Sequence, residues 1–582
     1  MMMRQRKAPI SGQIDTQFPT HASRHSLRGF WLLVLLVFFL HEAGCGRPSR
    51  SDLQESLRHV VVSTEIPRFV LRGEAETLPW KETQVFYRQR DFRPAWLRNH
   101  WLGGRQVNSQ ALTLLTSLRD ARHEGLDPAE YPIDELEQQI AKASHSESSK
   151  ELAWLDAKLT YTFFEYAAHL HRGRLNPKRI SPAWQVAARK LDWAPLLEEA
   201  LAHKDICGVL TKLTPALPEY AALRKALGVY YRIAEEGGWP PVPDSHPLKE
   251  GDRGEAVNLL RKSLARQGDL ISPAPGNQLF DEGLTNAVRA FEERNGLPMD
   301  GVADPVMLSV LNTPVETLIR QIELNLERLR WLPDDLGKRH LLVNIPDYRL
   351  ELVEDGQTIL QMRVVVGKKE NPTPVFSDQM TYLTFNPFWN IPESIAIKET
   401  VPLLRKDDGY AEKHGIQVMM KGHNEEVVDA SDIGWKEVDQ DSKAFPYLLR
   451  QRPGPGNALG RVKFMFPNQF NVYLHDTPTR HLFKATERDY SHGCVRVEHP
   501  AQLAEYLLKD KPGWDADRIQ NEMEAEEEMS VTLVKPLPVH IVYWSVWVGE
   551  TGKLQRRPDI YELDATQEKF VAQRALKQLS MR

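Results

Sequence analysis

The chain has 582 residues, of which 74 are Lys or Arg and 79 are Asp or Glu, so its formal net charge at pH 7 is −5. This near balance of charge gives no indication of nucleic acid as a partner. The length beyond an N-terminal leader is enough for roughly three or four domains. Only three cysteines are present, Cys45, Cys207 and Cys494. The last two lie in very different settings, which argues against a disulfide between them.

The N-terminus combines a basic lead, residues 1–29, with eleven unbroken apolar residues from Phe30 to Leu40. This order is typical of an export signal. The apolar stretch is too short to span a bilayer comfortably, because a transmembrane helix needs about 20 residues. We therefore expect residues 1–46 to act as a signal peptide or signal anchor, with lipid attachment at Cys45 as a weaker alternative.

Residues 52–240 are predicted to form an all-α domain, and a Pro-rich linker follows at Gly237–Pro247. Cys207 lies in an ordinary helical context, and we expect it to be a small buried hydrophobe. One predicted helix carries an apolar stripe at steps of three and four residues, formed by Leu152, Leu155, Leu159, Phe163, Tyr166 and Leu170.

Residues 247–313 are predicted to form a compact unit of three short helices. Gly268 and Gly296 end the first two helices, and Asp300-Gly301 turns the chain into the third. A unit of this size is typical of a small binding module rather than of an enzyme.

Residues 340–517 are predicted to form a mainly-β domain, because the period of the apolar residues changes there from 3.6 to 2. An Asp355-Gly356 pair predicts a hairpin turn. Residues 399–460 interrupt the strand pattern, and we interpret them as an inserted cap, since long insertions near a site are often lids. Residues 518–582 are assigned to a C-terminal extension.

Cys494 is the candidate nucleophile of this domain. An ordinary thiol, with a pKa near 8.5, is only a few per cent thiolate at pH 7, and a nearby imidazole lowers that pKa. His492 lies two residues before the cysteine, and His475 lies on a predicted neighbouring strand, which aims its ring more reliably. Asp476, directly after His475, is placed to orient that ring.

Two neighbours of the cysteine have chemical uses of their own. Gly493 lets the backbone turn sharply and bring amide N–H groups toward a developing oxyanion. Arg496 is placed to hold a substrate carboxylate. Two alternatives stay open at this point: Cys494 as a buried core residue, and a zinc site with His492 and His475. The zinc site is the weaker of the two, because structural zinc takes four ligands.

The pair formed by His475 and the run Ser491-His492-Gly493-Cys494 resembles the signature of the L,D-transpeptidases of bacterial cell walls. Fifteen residues, 476–490, separate its two parts, as in that family. The likeness extends to the start of the family's catalytic domain, to a peptidoglycan-binding module and to the helical scaffold of the large multidomain members. The segments that carry it are "VNIPDYRLELVEDG", "FEERNGLPMDGV" and "VFYRQRDFRPAWL". Glu292 departs from the module's pattern, which often has Gln there.

This resemblance implies covalent acyl transfer without a cofactor or metal. Cys494 would attack the third residue of a stem tetrapeptide and expel the terminal D-alanine, and the amine of a neighbouring stem would then complete a 3→3 cross-link. His475 matches the family's general base, and Ser491, His492, Gly493 and Arg496 match the loop that shapes the acyl site. Two alternatives are hydrolysis of the same thioester and a non-catalytic wall-binding protein.

The same resemblance implies where the protein works and with what. Its partners would be the stem peptides and glycan of peptidoglycan, together with other cell-wall enzymes. It would act in the periplasm, anchored through residues 30–40 if the signal is retained, or, as the weaker alternative, through a lipid on Cys45.

Overall fold

A computed structural model describes residues 50–70, 77–99, 105–185, 189–243, 246–271, 276–422, 426–438 and 445–579. The predicted export signal and Cys45 lie outside these residues. Within these ranges, no helix combines the length and the apolar character needed to cross a membrane. The predicted fold class is confirmed: an all-α domain, a three-helix module and a mainly-β domain with an insertion follow one another along the chain.

The all-α domain packs around one long helix, α5, which is capped by the Ser148 side chain and ends at Gly173. This helix is buried around most of its circumference, not only along the predicted stripe, because α1 and α2 both pack against it. The helices are Arg50–Val62 (α1), Thr77–Gln89 (α2), Ser109–Arg119 (α3), Ile133–Ala143 (α4), Ser149–Arg172 (α5), Pro177–Ile180 (α6), Ala194–His203 (α7), Ile206–Thr211 (α8) and Pro218–Glu235 (α9). Short strands lie at Leu97–Asn99 (β1), Arg105–Val107 (β2) and Trp184–Gln185 (β3).

Cys207 is exposed, so the prediction that it is a buried hydrophobe is wrong. It lies on α8, whose Ile206, Val209 and Leu210 are buried. A residue one position after Ile206 is turned by about 100° around the helix axis, which takes the Cys207 side chain away from that buried face.

The module consists of Glu255–Arg266 (α10), Glu282–Arg294 (α11) and Pro305–Leu311 (α12), around a core of its own. Asp281 and Asp304 cap the second and third helices through their carboxylates. A further amphipathic helix, Val315–Leu329 (α13), was not part of the prediction. It packs against α9 and against the outer side of the β-domain, forming a separate apolar cluster.

The β-domain is a sheet that closes on itself in the order β12-β13-β15-β6-β5-β4-β16-β7, with β7 pairing back to β12. Leu341, Val364, Leu474 and Val495 belong to the apolar core of this ring. The strands are Arg339–Asn344 (β4), Arg349–Glu354 (β5), Gln357–Gly367 (β6), Val375–Phe385 (β7), Trp389–Asn390 (β8), Ile416–Met420 (β9), Val427–Val428 (β10), Tyr447–Gln451 (β11), Val462–Met465 (β12), Leu474–His475 (β13), Asp489–Ser491 (β14), Val495–Val497 (β15), Met529–Val542 (β16), Val546–Val548 (β17) and Leu554–Arg556 (β18).

Two boundaries differ from the prediction. The assigned C-terminal extension contributes β16, which pairs with both β4 and β7 and so completes the ring. The insertion begins with β8, about ten residues before the predicted start at 399, because β8 pairs with β11 in a separate sheet of order β10-β9-β11-β8. That sheet encloses its own apolar core, and we call residues 389–451 the cap.

The remaining helices are short, apart from the last one. A stretch of π-helix covers Ala396–Thr400 at the base of the cap, and π-helical turns are frequent at functional sites. The α-helices are Glu393–Ile395 (α14), Val401–Leu404 (α15), Tyr410–Lys413 (α16), Pro500–Leu508 (α17), Ala516–Glu524 (α18) and Leu563–Leu579 (α19).

Candidate active site

The strands β13 and β15 bring the predicted histidine and cysteine to one face of the sheet. They run parallel, with Leu474 beside Val495 and His475 beside Arg496. Leu474 and Val495 point into the core of the ring. Since successive side chains on a strand alternate between faces, Cys494 and Arg496 share the outer face with His475. The strand that carries His475, β13, is shorter than predicted, because Asn471 has a φ of 52° and lies in a turn before this strand.

The cysteine loop is held by a close backbone contact. Gly493 has a φ of 110°, a value that side-chain-bearing residues rarely adopt. Gly367, at the end of β6, approaches so closely that a Cβ there would lie 3.0 Å from the Cα of Gly493. Thr373 Oγ1 donates to the Gly493 carbonyl at 2.9 Å, and the Gly367 amide donates to the same hydroxyl at 2.8 Å. Two glycines and one threonine therefore fix the position of the nucleophile.

Ser491 shapes the same loop from within. Its hydroxyl donates to the Cys494 carbonyl and accepts from the Gly493 amide at 3.1 Å. The Gly493 amide is therefore occupied and is not a free oxyanion donor in this state, which differs from the expectation for the amides around that glycine. Behind the loop, the Tyr561 hydroxyl donates to the Gly367 carbonyl and accepts from the Thr373 amide.

The Cys494 thiol is half-buried and neutral. Burial raises its pKa to about 11, although a hydrogen bond with Tyr473 and the positive charge of Arg496 act in the opposite direction. Tyr473 lies on the outer face beside Cys494, two residues before His475, and its ring centroid is 5.8 Å from that of the histidine. The expected lowering of the thiol pKa by an imidazole is therefore not found, because desolvation outweighs the favourable contacts.

His475 is buried and also neutral. Burial, and then the charge of Arg496, lower its pKa to about 3. Its Nδ1 is 2.5 Å from the carbonyl oxygen of Asp476, and the Leu459 carbonyl also faces the ring. Among the contacts of the described residues, none joins this ring to the Cys494 sulfur.

The role assigned to Asp476 needs correction. The backbone carbonyl of this residue, and not its carboxylate, orients the His475 ring. The carboxylate accepts from Arg480 Nη1 at 3.0 Å and from the Arg461 amide at 2.9 Å. It therefore fixes the loop before β12 and not the base.

Arg496, the predicted carboxylate anchor, keeps part of its guanidinium without a partner among the described residues. Its Nη1 donates to Thr479 Oγ1 at 3.1 Å, and its buried Nε has no hydrogen-bond partner among the described residues. No carboxylate of the described part of the chain forms an ion pair with it. A half-buried guanidinium beside the nucleophile is thus available for an anionic group of a ligand.

His492 contacts the cap and not the thiol. Its Nε2 lies 2.6 Å from Glu399 Oε1, and Glu399 belongs to the π-helical stretch at the base of the cap. Both side chains are partly exposed to solvent. This polar contact therefore joins the cysteine loop to the base of the cap.

Sequence reasoning assigned no role to four residues that contact the candidate site or its loop, Tyr473, Thr373, Glu399 and Tyr561. Only Tyr473 carries a local signal, since it is two positions before His475 and shares its face. The other three come from a loop, the cap and the C-terminal segment, and no local pattern connects them to Cys494. Within the described ranges, no group of three or more His, Cys, Asp or Glu side chains is placed to hold a metal ion.

Three family models match the chain. A model described as "L,D-transpeptidase catalytic domain" matches residues 338–520, "Putative peptidoglycan binding domain" matches residues 253–311, and "Scaffold domain" matches residues 81–227. A curated protein of Haemophilus influenzae named "Putative L,D-transpeptidase" is 36% identical over 408 residues, covering 65% of this chain and 80% of that protein.

Two solved structures are also similar. An L,D-transpeptidase from Stackebrandtia nassauensis has 16% identity and a TM-score of 0.20, covering 52% of this chain and 96% of that one. An L,D-transpeptidase from Mycobacterium smegmatis has 12% identity and a TM-score of 0.16, covering 35% of this chain and 58% of that one, less than two thirds of its length. At such TM-scores neither likeness bears on the fold.

Proposed function

Because the chain belongs to the L,D-transpeptidase family, we propose that it forms 3→3 cross-links in peptidoglycan with Cys494 as the nucleophile. One observation carries the choice of residues: a half-buried thiol on a glycine-held loop shares one sheet face with a buried imidazole and with a guanidinium that has no ion-pair partner among the described residues. These are the nucleophile, the base and the anion-binding group that acyl transfer from a carboxylate-bearing peptide requires.

In the acylation step, Cys494 Sγ attacks the carbonyl carbon of the third stem residue. Since thiol and imidazole are both neutral at rest, the proton leaves the sulfur as the C–S bond forms, and His475 takes it. The C–N bond to D-alanine then breaks, and His475 returns the proton to the departing amine. This transfer requires the imidazole to turn from the backbone carbonyls it faces in the resting state toward the sulfur.

In the second step, the side-chain amine of a neighbouring stem attacks the thioester. His475 accepts a proton from that amine, the C–S bond breaks, and the sulfur is reprotonated. A water molecule in place of the amine would release a tripeptide instead. The outcome therefore depends on how well the site excludes water.

The cap is the element that we propose excludes water from the site. The contact between Glu399 and His492 supports this role, because it places the base of the cap against the cysteine loop. An exposed pair of this kind is worth about 1 kcal/mol or less, so the cap can open for substrate entry. The family implies action outside the cytoplasm, and we propose that residues 30–40 direct export to the periplasm.

The test is mass spectrometry of muropeptides after incubation with a disaccharide-tetrapeptide. Dimers that lack one D-alanine mean transfer, tripeptide monomers mean hydrolysis, and no change means neither. Cys494→Ala should abolish every product while leaving sacculus binding intact. Cys207→Ala, which removes an exposed thiol outside the site, is the matched control and should leave the products unchanged. If products persist in Cys494→Ala, the nucleophile is misassigned.

A further inference from the structure

A groove of about 560 Å³ lies outside the catalytic site, where four parts of the chain meet. Its walls come from α9, the end of α11, strands β4 to β6 and the β17–β18 hairpin, represented by Glu219, Glu293, Glu351, Gln361 and Trp547. The groove is therefore shared by the helical scaffold, the three-helix module and the catalytic sheet.

The groove opens on the same sheet face as Cys494. Glu351 on β5 pairs with Gln361 on β6, and Val365, four residues further along β6, pairs with Arg496 on β15. Residues an even number of positions apart on a strand share a face, and so do paired residues. Cys494 precedes Arg496 by two residues on β15, which runs antiparallel to β6, so it lies six residues along β6 from Gln361. Six residues span about 20 Å and one strand spacing adds about 5 Å. The groove thus begins roughly 20 Å from the thiol.

A stem peptide spans about half of this distance. The acyl carbonyl belongs to the third stem residue, and three extended residues span at most about 10 Å. The sugar that carries an acylating stem therefore lies about that far from the sulfur. The glycan strand that continues from this sugar is long enough to enter the groove.

The charges of the lining favour a neutral polar ligand over a strongly anionic one. Its four cations, Arg294, Arg349, Lys553 and Arg557, all form ion pairs with Asp269 or Asp347. The remaining charged groups of the lining are carboxylates, which accept hydrogen bonds from hydroxyl and amide groups. The Arg557 guanidinium lies over the half-buried indole of Trp547, 5.0 Å from the ring centroid, and the rest of the ring adds an apolar surface of the kind on which sugar rings stack.

Two residues of the lining add a buried acceptor and a buried donor. Glu219 Oε2, an acceptor, and Trp544 Nε1, a donor, have no hydrogen-bond partner among the described residues. The lining therefore combines acceptors with a donor, and it suits a ligand with both donors and acceptors. Sugar hydroxyls and N-acetyl amides provide both.

We propose that this groove binds the glycan strand of the peptidoglycan whose stem acylates Cys494, an assignment that rests on the proposed function. Recognition of the sugar backbone would hold the donor in place while its stem reaches the cysteine loop. It would also place the three-helix module beside the same strand, because Glu293 and Arg294 of α11 line the groove.

The test compares donors with and without sugar on the full-length protein. D-alanine release is measured with tetrapeptide-bearing glycan strands and with the same tetrapeptide alone. Trp547→Ala removes the indole, and Thr358→Arg fills the groove from an exposed strand position in its wall. Thr532→Arg, at an exposed position of β16 outside the groove, is the matched control. Trp547→Phe keeps an aromatic surface.

We expect Trp547→Ala and Thr358→Arg to lower kcat/KM for glycan strands at least tenfold, mainly through KM, and less than twofold for the bare tetrapeptide. Trp547→Phe should restore most of the loss, and Thr532→Arg should behave as the unsubstituted protein does. Equal losses on both donors, or no loss on either, overturn the groove assignment. Release of D-alanine from neither donor by the unsubstituted protein overturns the proposed function instead.

Discussion

The rate of alkylation of Cys494 at different pH values distinguishes a neutral resting site from a preformed thiolate–imidazolium pair. Burial raises the pKa of the thiol to about 11, so about one molecule in a thousand is ionised at pH 8. An ordinary thiol, with a pKa near 8.5, is about one quarter ionised there. Because the thiolate is the reacting form, Cys494 should react roughly two orders of magnitude more slowly than an ordinary thiol.

Mass spectrometry of tryptic peptides after brief treatment with iodoacetamide measures this rate. Cys494 is released in peptide 489–496 and Cys207 in peptide 205–212, so the exposed Cys207 is an internal reference in every sample. The logarithm of the Cys494 rate should rise with a slope near one up to about pH 10. Tyr473→Phe removes a hydrogen bond that lowers the thiol pKa, and should slow alkylation a further three- to tenfold, roughly.

A Cys494 rate that levels off below about pH 8 would refute this reasoning, because it would mean that the sulfur is ionised at neutral pH. His475→Ala would then identify the partner, since an ion pair with His475 would disappear with the ring. His492→Ala is the matched control: it changes a histidine of the same loop that contacts Glu399 and not the sulfur.

Three other substitutions test separate parts of the structure. Arg496→Gln should raise KM for the tetrapeptide by about tenfold or more in steady-state kinetics, since a charge-assisted hydrogen bond contributes about 1.5–3 kcal/mol. With a donor whose carboxylates are amidated, Arg496→Gln and the unsubstituted protein should have the same KM. Glu399→Gln should raise the ratio of tripeptide monomers to cross-linked dimers severalfold while leaving total D-alanine release within twofold, because it weakens the contact between cap and loop. Glu292 is buried, which raises its pKa from 4.5 to about 7, so the folded module retains a proton that the unfolded chain releases. The contribution of protonated Glu292 to the stability of the module is fully present below about pH 4.5 and is lost as the pH rises through 7. Glu292→Gln should therefore raise the free energy of unfolding by about 2–3 kcal/mol at pH 8 and by little at pH 4.5, as measured by thermal denaturation at the two pH values; an equal effect at both would contradict the assignment.

The sequence predicted the layout of the fold wherever a pattern is local. Apolar residues at helical spacing mark the scaffold and the module, and alternation marks the strands of the catalytic sheet. It did not place β16 in the ring, because the partners of that strand, β4 and β7, lie far earlier in the chain. The separate core of the cap was missed for a similar reason: its short strands pair with one another only in three dimensions.

The same limit applies to the site. His475 and Cys494 were predictable because a recognisable motif and two adjacent strands fix them, whereas Thr373 and Tyr561 support the loop from distant segments. The role of Asp476 was misjudged because sequence gives the neighbour of a histidine but not which of its oxygens faces the ring. The thiol pKa was misjudged because desolvation depends on the packed surroundings and not on the motif.

Burial of the catalytic pair has a consequence for the order of events. Arg496 lowers the pKa values of both His475 and Cys494, so its charge opposes protonation of the base before a ligand arrives. A substrate carboxylate that pairs with this guanidinium would offset its charge, which makes His475 a better proton acceptor but also raises the pKa of the thiol further. The two effects oppose each other, so the thiol would stay protonated until it attacks, and its proton would pass to His475 as the C–S bond forms. Such a resting state suits an enzyme that acts in the presence of water, because no free thiolate is present before a donor stem is bound.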